Sequence, residues 1–498
     1  MKSQPRSAFG QSRVASLEAF PGSSSGGGVE EVSLRKLVRR EPLILSPDST
    51  VRNTLFALNQ TGAHVAVVAE DDASPLGVVS MRDLITALTL KHADLEDPTF
   101  RFMIAAPVVM PVDASVHRAR VTMTRRGVDH LVLVEPDGRL FNVLSPSDLP
   151  GFREGGAGAL VEQIRLADNV DSMARAAKAV RRRAAELFGR RMGVGALCQW
   201  ISGLNDLIAI RVIGLVADEF DLPPVSWCWV VFGSEGRLEQ TFGSDQDNGL
   251  IFKPDREEAA AEVRRAMLAF TQSVNRALDI CGYRLCPGNV MAGNPAWCLS
   301  ENEWREKFLG WMREPDPQAV LHAAIFFDFR PLYGQDELCD ELRQWLLPQP
   351  AAHPRFLRAM AEQALGCTPA LGVLGNFTYD GGHRYPHTID LKMRGSRPFI
   401  DAARIWALQH EVWSTNTADR LRAVGPALNQ RDADTVASVE AFDIVQRVRT
   451  QRQMEGGDTD AINRIDPARL TAPDRMLLKA AFREGKRLQL RLEQTFLN

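Results

Sequence analysis

Trp227-Cys228-Trp229-Val230-Val231-Phe232 runs directly into Gly233-Ser234-Glu235-Gly236-Arg237-Leu238-Glu239-Gln240, and Ser244-Asp245-Gln246-Asp247 then precedes Asn248-Gly249-Leu250-Ile251-Phe252. Two apolar runs of β type thus flank a glycine-containing turn and an acidic pair, which predicts strand, turn, short helical start, loop and second strand. Gly233 frees the backbone for close approach, and Ser234 adds a hydroxyl beside the N–H groups that open a helix; together they suit a phosphate. Asp245 and Asp247 are two apart, so on extended backbone both carboxylates face one side and can share divalent ions. Arg237 is placed to neutralise phosphate charge, and Glu239 to orient Arg237 or to hold the loop. The bland alternative is a pair of acids that merely caps a turn.

The Gly-Ser turn followed by the acidic pair resembles the nucleotidyltransferase fold, and that resemblance implies a third carboxylate from a later strand. Gly282 to Ala292 contains no acid, so the candidate moves on to Asp328 in Phe326-Phe327-Asp328-Phe329-Arg330-Pro331-Leu332-Tyr333-Gly334. Asp328 either joins the acidic set or pairs with Arg330 or a more distant arginine inside a packed helix.

N-terminal to this region the chain repeats itself. A shift of 65 residues, with no gap, lays Pro42 on Pro107, Val51 on Val116, Gly62 on Gly127, Ser80 on Ser145 and Asp83 on Asp148. Each unit reads as helix, buried strand, turn, strand and helix, too small to bury both faces alone, so the two should pack as a pair. Ser80 with Asp83, and Ser145 with Asp148, close the second strand of each unit; they either cap the next helix or offer a hydroxyl and a carboxylate to a ligand.

Composition bounds the rest. Hydrophobic residues make up 45% and charged residues 24%, and 59 Lys+Arg against 62 Asp+Glu leave a formal charge of −3, which argues against a nucleic-acid binder. Seven cysteines without a C-x-x-C pair read as reduced thiols, no stretch nears about 18 uninterrupted apolar residues, and the N-terminus lacks a secretory pattern, so a cytoplasmic protein with no membrane span is expected. Residues 1–28, rich in Ser and Gly, should form a flexible tail; the repeat pair fills 29–152, with a Gly-rich boundary at Gly151 to Gly158. The strand-turn region with a helical lead-in fills 160–335, and residues 336–498 follow a helical period, four or five helices in all. Within that last part Asp390, Lys392 and Arg397 gather charge, and Thr415 to Leu421 starts a helix with several possible caps.

The repeat, with Gly77-Val78-Val79-Ser80-Met81-Arg82-Asp83 and Asn142-Val143-Leu144-Ser145-Pro146-Ser147-Asp148, resembles a tandem pair of CBS domains. That resemblance implies an adenine nucleotide at Ser80, Asp83, Ser145 and Asp148, and a possible homodimer. Gly-Ser-x-Gly-Arg-x-Glu followed by Ser-Asp-x-Asp resembles the nucleotidyltransferase fold, in the branch of the protein uridylyltransferases and adenylyltransferases of nitrogen regulation. From about Val32 onward the chain is similar to bacterial nucleotidyltransferases that carry CBS domains and end in a helical substrate-binding domain. The expected fold is therefore α/β and multidomain: CBS pair, mixed sheet with helices, helical C-terminal domain. The expected activity is transfer of a nucleoside monophosphate from NTP (ATP or UTP) to an acceptor, a protein, with Mg2+ or Mn2+ at Asp245 and Asp247. The alternative is a nucleotide-sensing protein on a transferase scaffold without turnover.

Overall fold

The computed structural model describes residues 34–497 except 39–40, 64, 71–73, 91–92, 106, 115–118, 120–121, 124–127, 129, 146–147, 149–157, 190–191 and 457–458. The expected tail, the glycine cluster at 151–157 and most of the second repeat's helix around Val116 to Gly127 lie outside the described residues. The chain divides into two compact units, one ending at Leu149 and one beginning at Pro150.

In the first unit β1 (Ile44–Leu45) runs parallel to β2 (Val65–Glu70), which pairs antiparallel with β3 (Ser74–Ser80), itself antiparallel to β4 (Ile104–Ala105). The second repeat copies this: β5 (Val109–Pro111) runs parallel to β6 (Leu131–Val134), which pairs antiparallel with β7 (Leu140–Leu144). Even the irregularity repeats. The register slips between Val68 and Ala69 in β2 and between Leu133 and Val134 in β6, positions related by the same shift of 65. Val67 and Val78 of one sheet pack with Val132 and Val143 of the other. That shared cluster supplies the burial that neither repeat could achieve alone.

The second unit is built on a sheet of order β10-β9-β8-β11, formed by β8 (Ser226–Val231), β9 (Asn248–Lys253), β10 (Cys298–Ser300) and β11 (Arg330–Gly334). β9 runs parallel to β10, while β8 is antiparallel to both β9 and β11. The near-continuous apolar reading of β8 and β9 matches their burial along most of their length. Phe232, at the end of β8, is anchored among aromatic rings, with centroids 4.6 Å from Phe326 and 5.8 Å from Trp304.

Helix Val194–Ala217 is, among the described residues, the one long and apolar enough to cross a membrane, yet 78% of its apolar window is buried in the fold. Its polar residues are spent inside: Ser202 Oγ accepts from Gln240 N, Asn205 Nδ2 donates to Gln240 Oε1, and Asp206 pairs with Arg330. These contacts make it a core helix that backs the turn after β8.

Five helices, Pro354–Leu365, Arg397–Gln409, Thr417–Val424, Asp432–Met454 and Ala472–Phe496, dominate the C-terminal third. The strand expected from His387 to Lys392 shortens to β12 (Ile389–Asp390), paired with β13 (Arg464–Ile465), and gives way to a π-helical turn, Lys392–Ser396. Asn416 caps helix Thr417–Val424, accepting from Asp419 N at 3.2 Å. No core boundary falls at 335/336. Helix Asp336–Leu346 packs against β11, β8 and β9, and one apolar cluster runs from Phe232 and Trp304 to Phe399, Trp406 and Phe482.

Candidate active site

The β8–β9 ladder extends one residue past the strands, because Phe232 N donates to Asp247 O at 2.8 Å. Gly233 therefore sits beside Asp247. It has φ +55°, and a Cβ there would lie 2.9 Å from Asp247 Oδ2. The chain then makes one helical turn, Gly233–Gly236, with Ser234 half-buried on it. At Gly236 a Cβ would come within 1.8 Å of the Asp328 carbonyl oxygen, so this position admits no side chain. Both glycines of the motif are thus demanded by close approach of backbone to an aspartate.

The acidic segment is pinned by the residues between and after the aspartates. Gln246 is buried and its Nε2 donates to Asn275 O and Tyr283 O, while its backbone N donates to Arg284 O. Asn248 Oδ1 accepts from Ala292 N and Asn275 Nδ2. Asp245 and Asp247 lie in the loop that enters β9, Asp247 beside the Gly233 turn and Asp245 against Arg284. Sequence reasoning passed over Gln246 and Asn248; their signal was amides alternating with the acids at the mouth of an apolar strand.

Electrostatics differ among the acids here. Asp245 Oδ1 meets Arg284 Nη2 at 2.8 Å on the accessible side. Burial pushes Asp247 up to about 6, although a Cys286 S–H bond and the Lys392 ammonium favour its charged form. Burial, with repulsion from Asp206 and Asp247, pushes Glu235 up to about 8. Such groups would gain from a cation. Among the described residues no three His, Cys, Asp or Glu side chains converge on a metal position. Asp245 and Asp247 fit a hard divalent ion as a two-carboxylate set that leaves the remaining coordination to water and phosphate oxygens.

Asp328 stands apart from this pair. It is fully buried, and its carboxylate accepts from Arg404 Nη2 at 2.7 Å, Arg420 Nη1 at 2.5 Å and Arg237 Nη1 at 2.7 Å. Burial alone would raise its pKa; the three guanidinium groups outweigh it and hold the carboxyl well below the usual range. Of the two readings of Asp328, the structure displays the ion-paired one, with distant arginines and not with Arg330. Arg330 bonds instead to Asp206 and to the Glu235 carbonyl.

Arg237 and Glu239 require a correction. Both are buried: Arg237 Nε donates to Glu239 Oε2 at 2.8 Å, and Thr417 N donates to Glu239 Oε1 at 2.6 Å. Thr415 Oγ1 and Asn416 Nδ2 donate to the carbonyls of Gly236 and Arg237. Arg237, expected at the phosphates, instead forms with Glu239 the clasp between the turn and the helical region, because its guanidinium is already divided between Glu239 and Asp328. Glu239 performs both roles foreseen for it.

In the first unit, Ser80 N and Oγ donate to Asp83 Oδ2 at 2.8 and 2.6 Å, and Asp83 N donates back to Ser80 Oγ. Ser145 N likewise donates to Asp148 Oδ2 at 2.9 Å. These are the capping arrangements; they also hold each hydroxyl or carboxylate at a helix start.

Comparison with known families and structures covers the chain in segments. Residues 29–90 and 100–150 match the CBS domain, 178–318 match "Putative nucleotidyltransferase DUF294", and 354–496 match "Putative nucleotidyltransferase substrate binding domain". An uncharacterised protein of Methanopyrus kandleri is 22% identical over 122 residues, 24% of this chain; the chain spans 62% of that relative's length. Among solved structures, a CBS domain protein of Pyrobaculum aerophilum complexed with AMP is 30% identical, covering 24% of this chain and 90% of that one, with a TM-score of 0.23. A CBS-domain protein of Agrobacterium tumefaciens is 21% identical, covering 24% and 99%, with a TM-score of 0.23. In order along the chain, then, this protein carries a CBS-domain pair, a domain of the DUF294 nucleotidyltransferase family and that family's C-terminal domain.

Proposed function

We propose that the chain transfers a nucleoside monophosphate from NTP, ATP or UTP, to a protein acceptor, and that its CBS pair tunes the reaction by binding an adenine nucleotide at Ser80, Asp83, Ser145 and Asp148. The observation that carries the transfer is the juxtaposition of Asp247 with the Gly233 turn, where backbone and carboxylate meet without an intervening side chain, with Asp245 two residues away in the same loop. Asp245 and Asp247 would hold Mg2+ or Mn2+, which supplies charge to bridge the phosphates and to activate the attacking oxygen. Gly233 lets the phosphate chain lie against the backbone, and the Ser234 hydroxyl and the opening N–H groups of the turn donate to it. An acceptor hydroxyl then bonds to the α-phosphorus and gives its proton to water, the α–β phosphoanhydride bond breaks, and pyrophosphate leaves. The Asp328 cluster and Glu239 keep the turn in register with the helical region throughout.

The test is incubation of the full chain with ATP or UTP labelled at the α-phosphate, Mg2+ and a bacterial lysate. Transfer of label by the wild type, and none by Asp245→Ala/Asp247→Ala, is expected; equal labelling by both removes the catalytic reading. One observation favours a second reading, a nucleotide sensor without turnover: the described acidic set has two members, Asp328 being held by arginines. Tight NTP binding with no labelled product would favour it.

A further inference from the structure

Resting on that reading, we infer that Lys392, carried by the helical C-terminal region, is the cation that binds the triphosphate of the NTP held at Asp245 and Asp247. An NTP brings several negative charges, and two carboxylates in the same site make matters worse unless cations share the load. The arginines nearby are committed. Arg237, Arg404 and Arg420 surround Asp328, Arg330 holds Asp206, and Arg284 meets Asp245. On the π-helical turn itself, Arg394 Nε donates to Thr368 O, and Arg397 pairs with Asp401 just beyond it. Lys392 is exposed, and among the described contacts its ammonium has no hydrogen-bond or ion-pair partner.

Its backbone is fixed where the site needs it. Asp390 Oδ1 accepts from Lys392 N at 2.9 Å and Met393 N at 3.1 Å, which turns the chain sharply after β12. Leu391 N donates to Asn463 O, and Gln453 Nε2 donates to Asn463 Oδ1. On that same floor rests the loop that leads into Asp245: a Cβ at Gly243 would lie 3.1 Å from Gln453 Nε2 and 3.3 Å from Ile462 Cδ1. The acidic loop and the Lys392 turn therefore share one support. An ammonium on a rigid turn with a flexible four-carbon stem can reach a phosphate oxygen without rearranging the backbone. A π-turn at this place is also where irregular helical geometry usually signals function. The site is then composite: metal-binding acids from the sheet, phosphate cation from the helical region.

Calorimetric binding of ATP and UTP, and of AMP and UMP, in Mg2+ to full-length wild type, Lys392→Ala and Lys392→Arg tests this, with Asp245→Ala/Asp247→Ala titrated in parallel so that heat from adenine nucleotide at the CBS pair is subtracted. Lys392→Ala should weaken the triphosphate that wild type binds by about tenfold, leave the monophosphate within about twofold, and leave the melting temperature unchanged; Lys392→Arg should restore most of the loss. Triphosphate affinity unchanged in Lys392→Ala overturns the inference while leaving the proposed transfer standing. Equal loss for mono- and triphosphate also overturns it, because the side chain would then not be reading the phosphate chain. Should wild type bind neither ATP nor UTP, the proposed function fails and this inference with it.

Discussion

Two groups of buried or half-buried acids, joined by one helical turn, are treated in opposite ways. At the rim, Asp247 and Glu235 are pushed up, to about 6 and about 8, by burial that their neighbours do not fully offset. At the hub, Asp328 is more deeply buried, yet three arginines hold it ionised. Removing a carboxylate from water is expensive, and the hub shows that this fold can supply counter-charge when structure requires it. That it does not do so fully at Asp247 and Glu235 leaves those two acids open to a cation from outside, whereas Asp245 already meets Arg284. Depth of burial therefore does not distinguish the two groups; the completeness of their pairing does.

The comparison can be broken first at the hub. Asp328→Ala should leave Arg237, Arg404 and Arg420 buried without their shared counter-charge and destabilise the second unit by about 3–5 kcal/mol in chemical denaturation. A loss below about 1 kcal/mol would mean that the arginines find water or other partners, and that the hub is not a structural device. The turn between the two groups comes next. Gly236→Ala puts a Cβ against the Asp328 carbonyl and should lower stability by about 1–3 kcal/mol; an unchanged denaturation midpoint would show that the turn can move away from the hub.

The smallest effect sharpens the rim. Glu235 has an ordinary value of 4.5 and is raised to about 8 in the fold, so between those values the folded state holds a proton that the unfolded state has lost. Wild-type stability should fall as pH rises through that window, whereas Glu235→Gln, with no proton to lose, should not share the decline. Melting curves at pH 5.5 and 8.5 should show Glu235→Gln gaining on the wild type by a few degrees at the higher pH. A constant difference would mean that Glu235 is already ionised at neutral pH.

How legible this was in the sequence depended on range. The repeat was plain because pairing within each unit is local: β2 meets β3 and β6 meets β7 across short turns, so a shift of 65 residues reproduces even the register slip. The Gly-Ser turn and Asp245/Asp247 were legible for the same reason, since both lie in the short connection between the adjacent strands β8 and β9. What was not legible came from far along the chain. Asp328 finds Arg404 and Arg420 at separations of 76 and 92 residues, and Glu239 meets Thr417 at 178. No spacing rule reports such pairs, so Arg237 reads as a phosphate ligand when with Glu239 it forms the clasp. The helical region looked like a separate domain because its period is helical; its apolar faces complete the core that the sheet begins.

The proposed function places a divalent ion at Asp245 and Asp247 and none at Asp328. Titration of the full chain with Mn2+, followed by paramagnetic resonance of the free ion in the presence of ATP or UTP, measures it directly. Wild type should show a saturable site that loses at least about tenfold in affinity in Asp245→Asn/Asp247→Asn, with the melting temperature preserved, and that is unaltered in Asp83→Asn. Equal Mn2+ affinity in wild type and Asp245→Asn/Asp247→Asn would contradict it.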